Sequence, residues 1–168
     1  MDLKAHIRGI PDFPIPGILF YDISTILSNP SALEYAVTSM EEKISAWQPD
    51  IIAGIESRGF LFATPLAMRM GLPMMMIRKA GKLPGEVVSY EYDLEYGTDT
   101  IQIQADAIKA GQKVVIIDDL LATGGTLSAS VRLCQQVGGE VVGCGVVIEL
   151  DFLSGTDALE VPCISLVS

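Results

Sequence analysis

Two adjacent carboxylates, Asp118 and Asp119, precede the small-residue run Ala122-Thr123-Gly124-Gly125-Thr126, and an apolar pattern at helical spacing (Leu127, Val131, Leu133, Cys134, Val137) follows it. The combination suits a phosphorylated sugar. Successive glycines let the backbone close on a phosphate, and the unpaired N–H groups and dipole of a helix start attract it. The dipole alone contributes about 0.3–1 kcal/mol, so several donors must share the anion, and Thr123 and Thr126 add two hydroxyls. The carboxylates would repel a phosphate unless they faced neutral donors or a metal. Vicinal ribose hydroxyls are such donors, at roughly 1.5–3 kcal/mol for each charge-assisted bond. Mg2+ near the sugar would ease the repulsion further. The plainer alternative is a glycine-rich strand-to-helix connection with two solvated aspartates at a sheet edge. No Lys follows the glycines as in a Walker loop, and the G-x-G-x-x-G dinucleotide pattern is absent.

Two other turns carry anion-binding chemistry. Glu56-Ser57-Arg58-Gly59 follows an apolar run, offering backbone N–H groups and a bidentate guanidinium. A surface ion pair of Arg58, with Glu56 as its partner, is the alternative there. Arg78, Lys79 and Lys82 place three cations within five residues, the strongest local positive potential in an acidic chain. A solvated charge cluster is the usual reading of such a run. Following a strand end, it reads better as an anion clamp, with Lys79 as the anion's ligand.

The elements that must position these residues can be read from periodicity. Val114-Val115-Ile116-Ile117 is an unbroken β-branched run, the mark of a strand buried on both faces of a parallel sheet. Ile51–Ile55, Met74–Ile77, Val141–Leu150 and a short strand over 161–167 join it. Asn29-Pro30 caps a helix that runs through Leu33, Ala36, Val37, Met40 and Ile44 to Trp47. A second helix carries Phe60, Leu61, Leu66 and Met70, and a short one closes at Lys109-Ala110-Gly111. Gly138-Gly139 ends the helix after the phosphate turn. The alternation predicts an α/β fold, an open, mostly parallel twisted sheet flanked by helices. Ligands in such sheets bind at strand carboxyl ends, so the three turns should line one crevice. Residues 11–24, with three prolines, form a stiff cover over the sheet. Residues 86–104 alternate as a β-hairpin, either an ordinary protruding one or, counted from 84 to 104, a lid able to close over a site and exclude water.

Composition narrows the function. At 168 residues the chain is expected to form one domain, 1–168. A formal net charge of −10 argues against a nucleic-acid surface, which needs a basic stripe. No apolar run reaches membrane-spanning length, and the N-terminus lacks a secretory apolar region, so a cytoplasmic chain without membrane contact is expected. Cys134, Cys144 and Cys163 show no C-x-x-C spacing and read as buried thiols of a reducing compartment. The only histidine, His6, precedes every motif, so the chemistry should not depend on one.

The run from Asp118 to Thr126 resembles the phosphoribosyl-pyrophosphate signature of type I phosphoribosyltransferases, and its Leu120-Leu121-Ala122-Thr123-Gly124-Gly125-Thr126 form is similar to the adenine-using branch. The resemblance spans Pro11 to Val167. It implies purine salvage: transfer of 5-phosphoribosyl to adenine, with Mg2+, in a homodimer. Ala122 to Thr126 would anchor the 5-phosphate, Asp118 and Asp119 would hold the ribose hydroxyls, and Arg58 the leaving pyrophosphate. It implies that Phe13-Pro14-Ile15-Pro16-Gly17 begins a hood, with Leu19 over one face of the base, Tyr21 beside it and Leu150 as the opposite wall. Family members often carry Arg where Tyr21 stands. The lid's Glu95-Tyr96 pair makes Glu95 a catalytic candidate, and a cis bond is expected at Glu56-Ser57. Two rivals remain: a transferase for a 6-oxopurine or orotate, and a non-catalytic sensor of phosphoribosyl pyrophosphate.

Overall fold

Apolar runs and capped amphipathic segments alternate through the computed structural model, which describes residues 1–168. In chain order they form strands β1 (Arg8–Pro11) and β2 (Leu19–Asp22), helices α1 (Ser24–Leu27) and α2 (Pro30–Ile44), strand β3 (Ile51–Ile55) and helix α3 (Phe60–Met70). Strands β4 (Met74–Lys79), β5 (Val87–Asp93), β6 (Thr98–Gln104) and β7 (Lys113–Leu121) follow, then helix α4 (Gly125–Gln136) and strands β8 (Glu140–Glu149) and β9 (Cys163–Val167). Asn29 caps α2 as its sequence requires, its Oδ1 accepting the N–H groups of Ser31 (3.1 Å) and Ala32 (3.2 Å).

Seven strands make the main sheet in the order β5-β6-β4-β3-β7-β8-β9. Pairing is parallel from β4 to β9 and antiparallel where β6 meets β4 and β5. Strand β7 lies between β3 and β8, and its β-branched run divides between two cores. Val114 and Ile116 pack with α4, and Val115 and Ile117 with α2 and α3. No helix is long and apolar enough to cross a membrane.

Two sequence expectations change here. Strand β7 does not stop at Ile117: pairing continues from Asp118↔Val146 to Leu121↔Glu149, so the two aspartates lie within the strand. The connection from 105 to 112 is a series of turns and contains no helix; Gly111 N–H bonds the Gly138 carbonyl (2.8 Å), tying the segment to the end of α4. The hairpin expected over 84–104 forms as β5 and β6, and it also extends the main sheet. Strand β6 pairs with β4 at Arg78↔Gln102 and Lys79↔Ile101, and Ile101 and Ile103 are buried, so only the tip around 94–97 extends beyond the ladder.

The hood over 11–24 gains a partner that periodicity did not reveal, since β2 pairs antiparallel with β1. Its far end is pinned by Asp22, which accepts the Ser24 hydroxyl (2.7 Å) and N–H (2.9 Å) and pairs with Arg8. The Ser24 hydroxyl, the Ser24 N–H and Arg8 together hold the Asp22 carboxyl at about 2, below its ordinary 3.8. Because the folded value is depressed, this stabilisation is complete above the unfolded value and is lost as pH falls towards about 2. Asp22→Asn should therefore melt below the unsubstituted protein near neutral pH. The two melting curves should converge as pH approaches about 2 in a thermal series.

Candidate active site

The sheet order places the carboxyl ends of β4, β3 and β7 side by side, at the point where the chain switches from building one edge to the other. A cavity of about 310 Å³ opens there. It is lined by Glu56 to Arg58 after β3, by Arg78 and Lys79 of β4, and by 118–127 at the end of β7. The three anion-binding turns singled out in the sequence thus meet in one crevice.

The phosphate turn is shaped by what glycine omits. Gly124 has φ +87°, and a Cβ there would sit 2.3 Å from the Gly155 carbonyl oxygen. The turn is therefore pressed against the 155 segment. Having no side chain, Gly124 does not cap α4. The first intrahelical bond comes from Ser128 N–H to the Gly124 carbonyl (2.9 Å), which leaves the N–H groups of the first turn to serve a ligand. Gly59 answers a different demand. A Cβ there would lie 2.5 Å from the Ile55 carbonyl oxygen, 2.8 Å from that of Ile117 and 3.0 Å from Asp118 Oδ1. Only glycine lets the turn after β3 lie this close to β7. The Glu56-Ser57 bond is cis, as the family resemblance implies.

The paired carboxylates have different surroundings. Asp118 Oδ1 accepts the Asp119 N–H (2.8 Å). Burial, and then the neighbouring Asp119 charge, push the Asp118 carboxyl well above its ordinary value. Asp119 is 5% exposed, and its Oδ2 lies 2.9 Å from Arg58 Nε. That contact pairs the charges without hydrogen-bond alignment, so Oδ2 is a buried acceptor with no donor. A ribose hydroxyl is the kind of donor it lacks. Arg58 therefore pairs with Asp119 and not with Glu56 as the sequence alternative had it, and its guanidinium stacks 5.1 Å from the Phe20 ring centroid.

Lys79 Nζ pairs with Asp99 of β6, and this hydrogen bond raises the Lys79 pKa. The Tyr92 hydroxyl of β5 shares a hydrogen bond with Thr126 Oγ1 (3.2 Å) and lies 3.5 Å from Asp99 Oδ2. The hairpin stem is thereby joined to both the cation turn and the phosphate turn. Sequence reading missed Phe20, Tyr92 and Asp99 as contributors. The hairpin register Tyr92↔Asp99 was the one local signal for the last two. Phe20 was missed because the family resemblance pointed to Leu19 and Tyr21 on either side of it.

The base side is less assembled. Tyr21 and Leu150 line a second cavity of about 390 Å³ with Ile7, Ile148 and Phe152. Leu19 lines neither cavity; it is half exposed and lies over Gly9. Glu95 and Tyr96 sit at the hairpin tip, Tyr96 at 89% exposure, and neither reaches the lining of the first cavity. The structure therefore brings together Arg58, Lys79, Asp118, Asp119 and Ala122 to Thr126, and leaves Leu19, Glu95 and Tyr96 apart from them.

Comparison with known proteins agrees with this geometry. A phosphoribosyl transferase domain model matches residues 22–166. The chain is 60% identical to an adenine phosphoribosyltransferase of Gluconacetobacter diazotrophicus, covering 100% of this chain and 96% of that protein. It superposes on the crystal structure of adenine phosphoribosyltransferase from Thermoanaerobacter pseudethanolicus with TM-score 0.96 and 47% identity, covering 99% and 97% of the two chains. The Saccharomyces cerevisiae enzyme, solved with adenine and an imino-altritol bisphosphate, matches with TM-score 0.92 and 41% identity, covering 98% of this chain and 96% of that one.

Gly124→Ala tests the phosphate turn. The new methyl would meet the Gly155 carbonyl at a φ that side chains rarely adopt, so the turn must move. Binding of ribose 5-phosphate, followed by calorimetry, should weaken about 10–100-fold, the loss of one charge-assisted donor.

Proposed function

The chain belongs to the adenine phosphoribosyltransferases, within the type I phosphoribosyltransferase family, and from that premise we propose how its residues divide the reaction. It is a purine-salvage enzyme that transfers 5-phosphoribosyl from phosphoribosyl pyrophosphate to adenine, giving AMP and pyrophosphate. The observation that carries the assignment of roles is the single cavity at the ends of β4, β3 and β7. It joins an uncapped helix start, a buried carboxylate oxygen without a donor, and a cluster of cations.

Ala122, Thr123, Gly124, Gly125 and Thr126 hold the 5-phosphate, so the sugar pivots about one fixed end. Asp119 accepts a ribose hydroxyl through its unpartnered Oδ2, and Asp118 supports the same edge of the sugar. The C1–O bond breaks first, its electron pair leaving with pyrophosphate, and the sugar gains positive charge that the two carboxylates favour. Arg58 and Lys79 take up the charge that develops on the leaving group. N9 of adenine then bonds to C1 between Leu19 and Leu150, with Tyr21 beside the base, and the purine proton passes to Glu95 as Tyr96 and the tip close.

Mg2+ fits this site in one manner. No cluster of three or more His, Cys, Asp or Glu side chains could cage a metal by itself. A metal that keeps its waters and binds through one or two carboxylates plus substrate phosphates matches the donors present. Asp118 and Asp119 would hold it beside the ribose, and its chemistry would be neutralisation of pyrophosphate charge. Exposed Leu61 and Met68 on α3 support a homodimer, and three free cysteines support a reducing cytoplasm.

Adenine-dependent release of pyrophosphate tests the assignment, and preference for hypoxanthine, guanine or orotate in a panel of bases would overturn the choice of adenine. Two variants test the roles. Asp119→Asn should lower kcat/KM for phosphoribosyl pyrophosphate about 10–100-fold. Glu95→Gln should lower kcat about 10²–10⁴-fold with ribose-phosphate binding retained; unchanged turnover removes Glu95 from the mechanism.

A further inference from the structure

Glu56 follows strand β3, lines the same cavity and has its side chain 9% exposed. It gathers the turn after β4. Its Oε1 accepts the Lys79 N–H, and its Oε2 lies 2.8 Å from Lys82 Nζ and 3.5 Å from an Arg78 terminal nitrogen. Burial pushes its carboxyl up, but the hydrogen bonds from Lys82 and Lys79 and the charges of Lys82 and Arg78 outweigh that, and the net direction is down. Neither cation is saturated by this one carboxylate. Lys82 is 50% exposed and can turn, and Arg78 Nε is buried with no acceptor. An anion with more charge and more oxygens than a carboxylate, arriving in this cavity, would draw both.

We propose that Glu56 is an internal counter-ion for the pyrophosphate subsite. As a positioning residue it holds Lys82 and Arg78 beside Lys79 until the diphosphate displaces it, and it reclaims them as product leaves. This rests on the phosphoribosyl-transfer reading of the cavity. A carboxylate in competition with the ligand weakens diphosphate binding and hastens its release. A carboxylate that only braced the turn would strengthen binding, so the sign of the effect separates the two roles.

Glu56→Gln keeps an acceptor for the Lys79 N–H and removes the charge. Its Kd for magnesium pyrophosphate, by calorimetry, should fall about 3–10-fold, the scale of one partly screened charge pair. Product inhibition by pyrophosphate should tighten by the same factor, with KM for adenine unchanged. Weaker or unchanged pyrophosphate binding in a variant that melts like the unsubstituted enzyme overturns the proposal. A crystal of the unsubstituted enzyme with magnesium pyrophosphate gives an answer independent of the variant's folding. Lys82 Nζ should lie beyond ion-pair distance of Glu56 and on a phosphate oxygen; an intact pair overturns the proposal. If the unsubstituted enzyme binds magnesium pyrophosphate but forms no AMP from adenine, the functional reading fails while the Glu56 result still stands or falls on these measurements.

Discussion

The constraint on which the site depends is the double burial of β7. A strand whose side chains enter two cores cannot rotate or slip by one residue without exchanging them, because side chains alternate between faces. Val114 to Ile117 are all fully buried, and β3 and β8 hold the strand on its two edges. Whatever follows Ile117 is therefore delivered to a fixed place. That place receives two carboxylates and then a turn with the glycine needed at φ +87°. Packing with no direct part in chemistry thus sets the distance between the helix start and the carboxylates.

Charge within the cavity is arranged by pairing. In a chain of net charge −10, each cation at the site has a carboxylate at hand: Arg58 with Asp119, Lys79 with Asp99, Lys82 and Arg78 with Glu56. An anionic substrate consequently finds cations that already have partners. Binding becomes an exchange of partners and not the filling of a bare positive well, so long-range attraction contributes little. Discrimination then rests on whether a ligand can satisfy several of these groups at once.

Much of this was legible in the sequence because it is local. The β-branched run, the capped start of α2 and the glycines after β7 each state their structure within a few residues. The three anion-binding turns could be predicted to converge because parallel strands share one direction. What escaped detection is non-local. Asp118 and Asp119 resembled residues following a strand, and only pairing with β8 extends β7 through Leu121. The hairpin itself was legible, but the pairing of β6 with β4 was not. Arg58 has Glu56 as its nearest acid in sequence, yet the close approach that Gly59 permits between the turn and β7 brings it to Asp119 instead.

The two halves of the site are built differently, and the difference has consequences. The phosphate half stands on three adjacent central strands, with most of its turns fixed by backbone contacts. The residues proposed for the base are drawn from the margins: Leu19 and Tyr21 from a two-stranded hairpin, Leu150 from beyond the end of β8, and Glu95 and Tyr96 from an exposed tip. Elements with few buried contacts open and close at low free-energy cost. Transfer of an activated ribosyl group requires both properties, a rigid grip on the sugar phosphate and a movable cover that excludes water while C1 is exposed. Tyr21 stands in this two-stranded hairpin and packs against the core that β3, β7 and β8 share with α2 and α3.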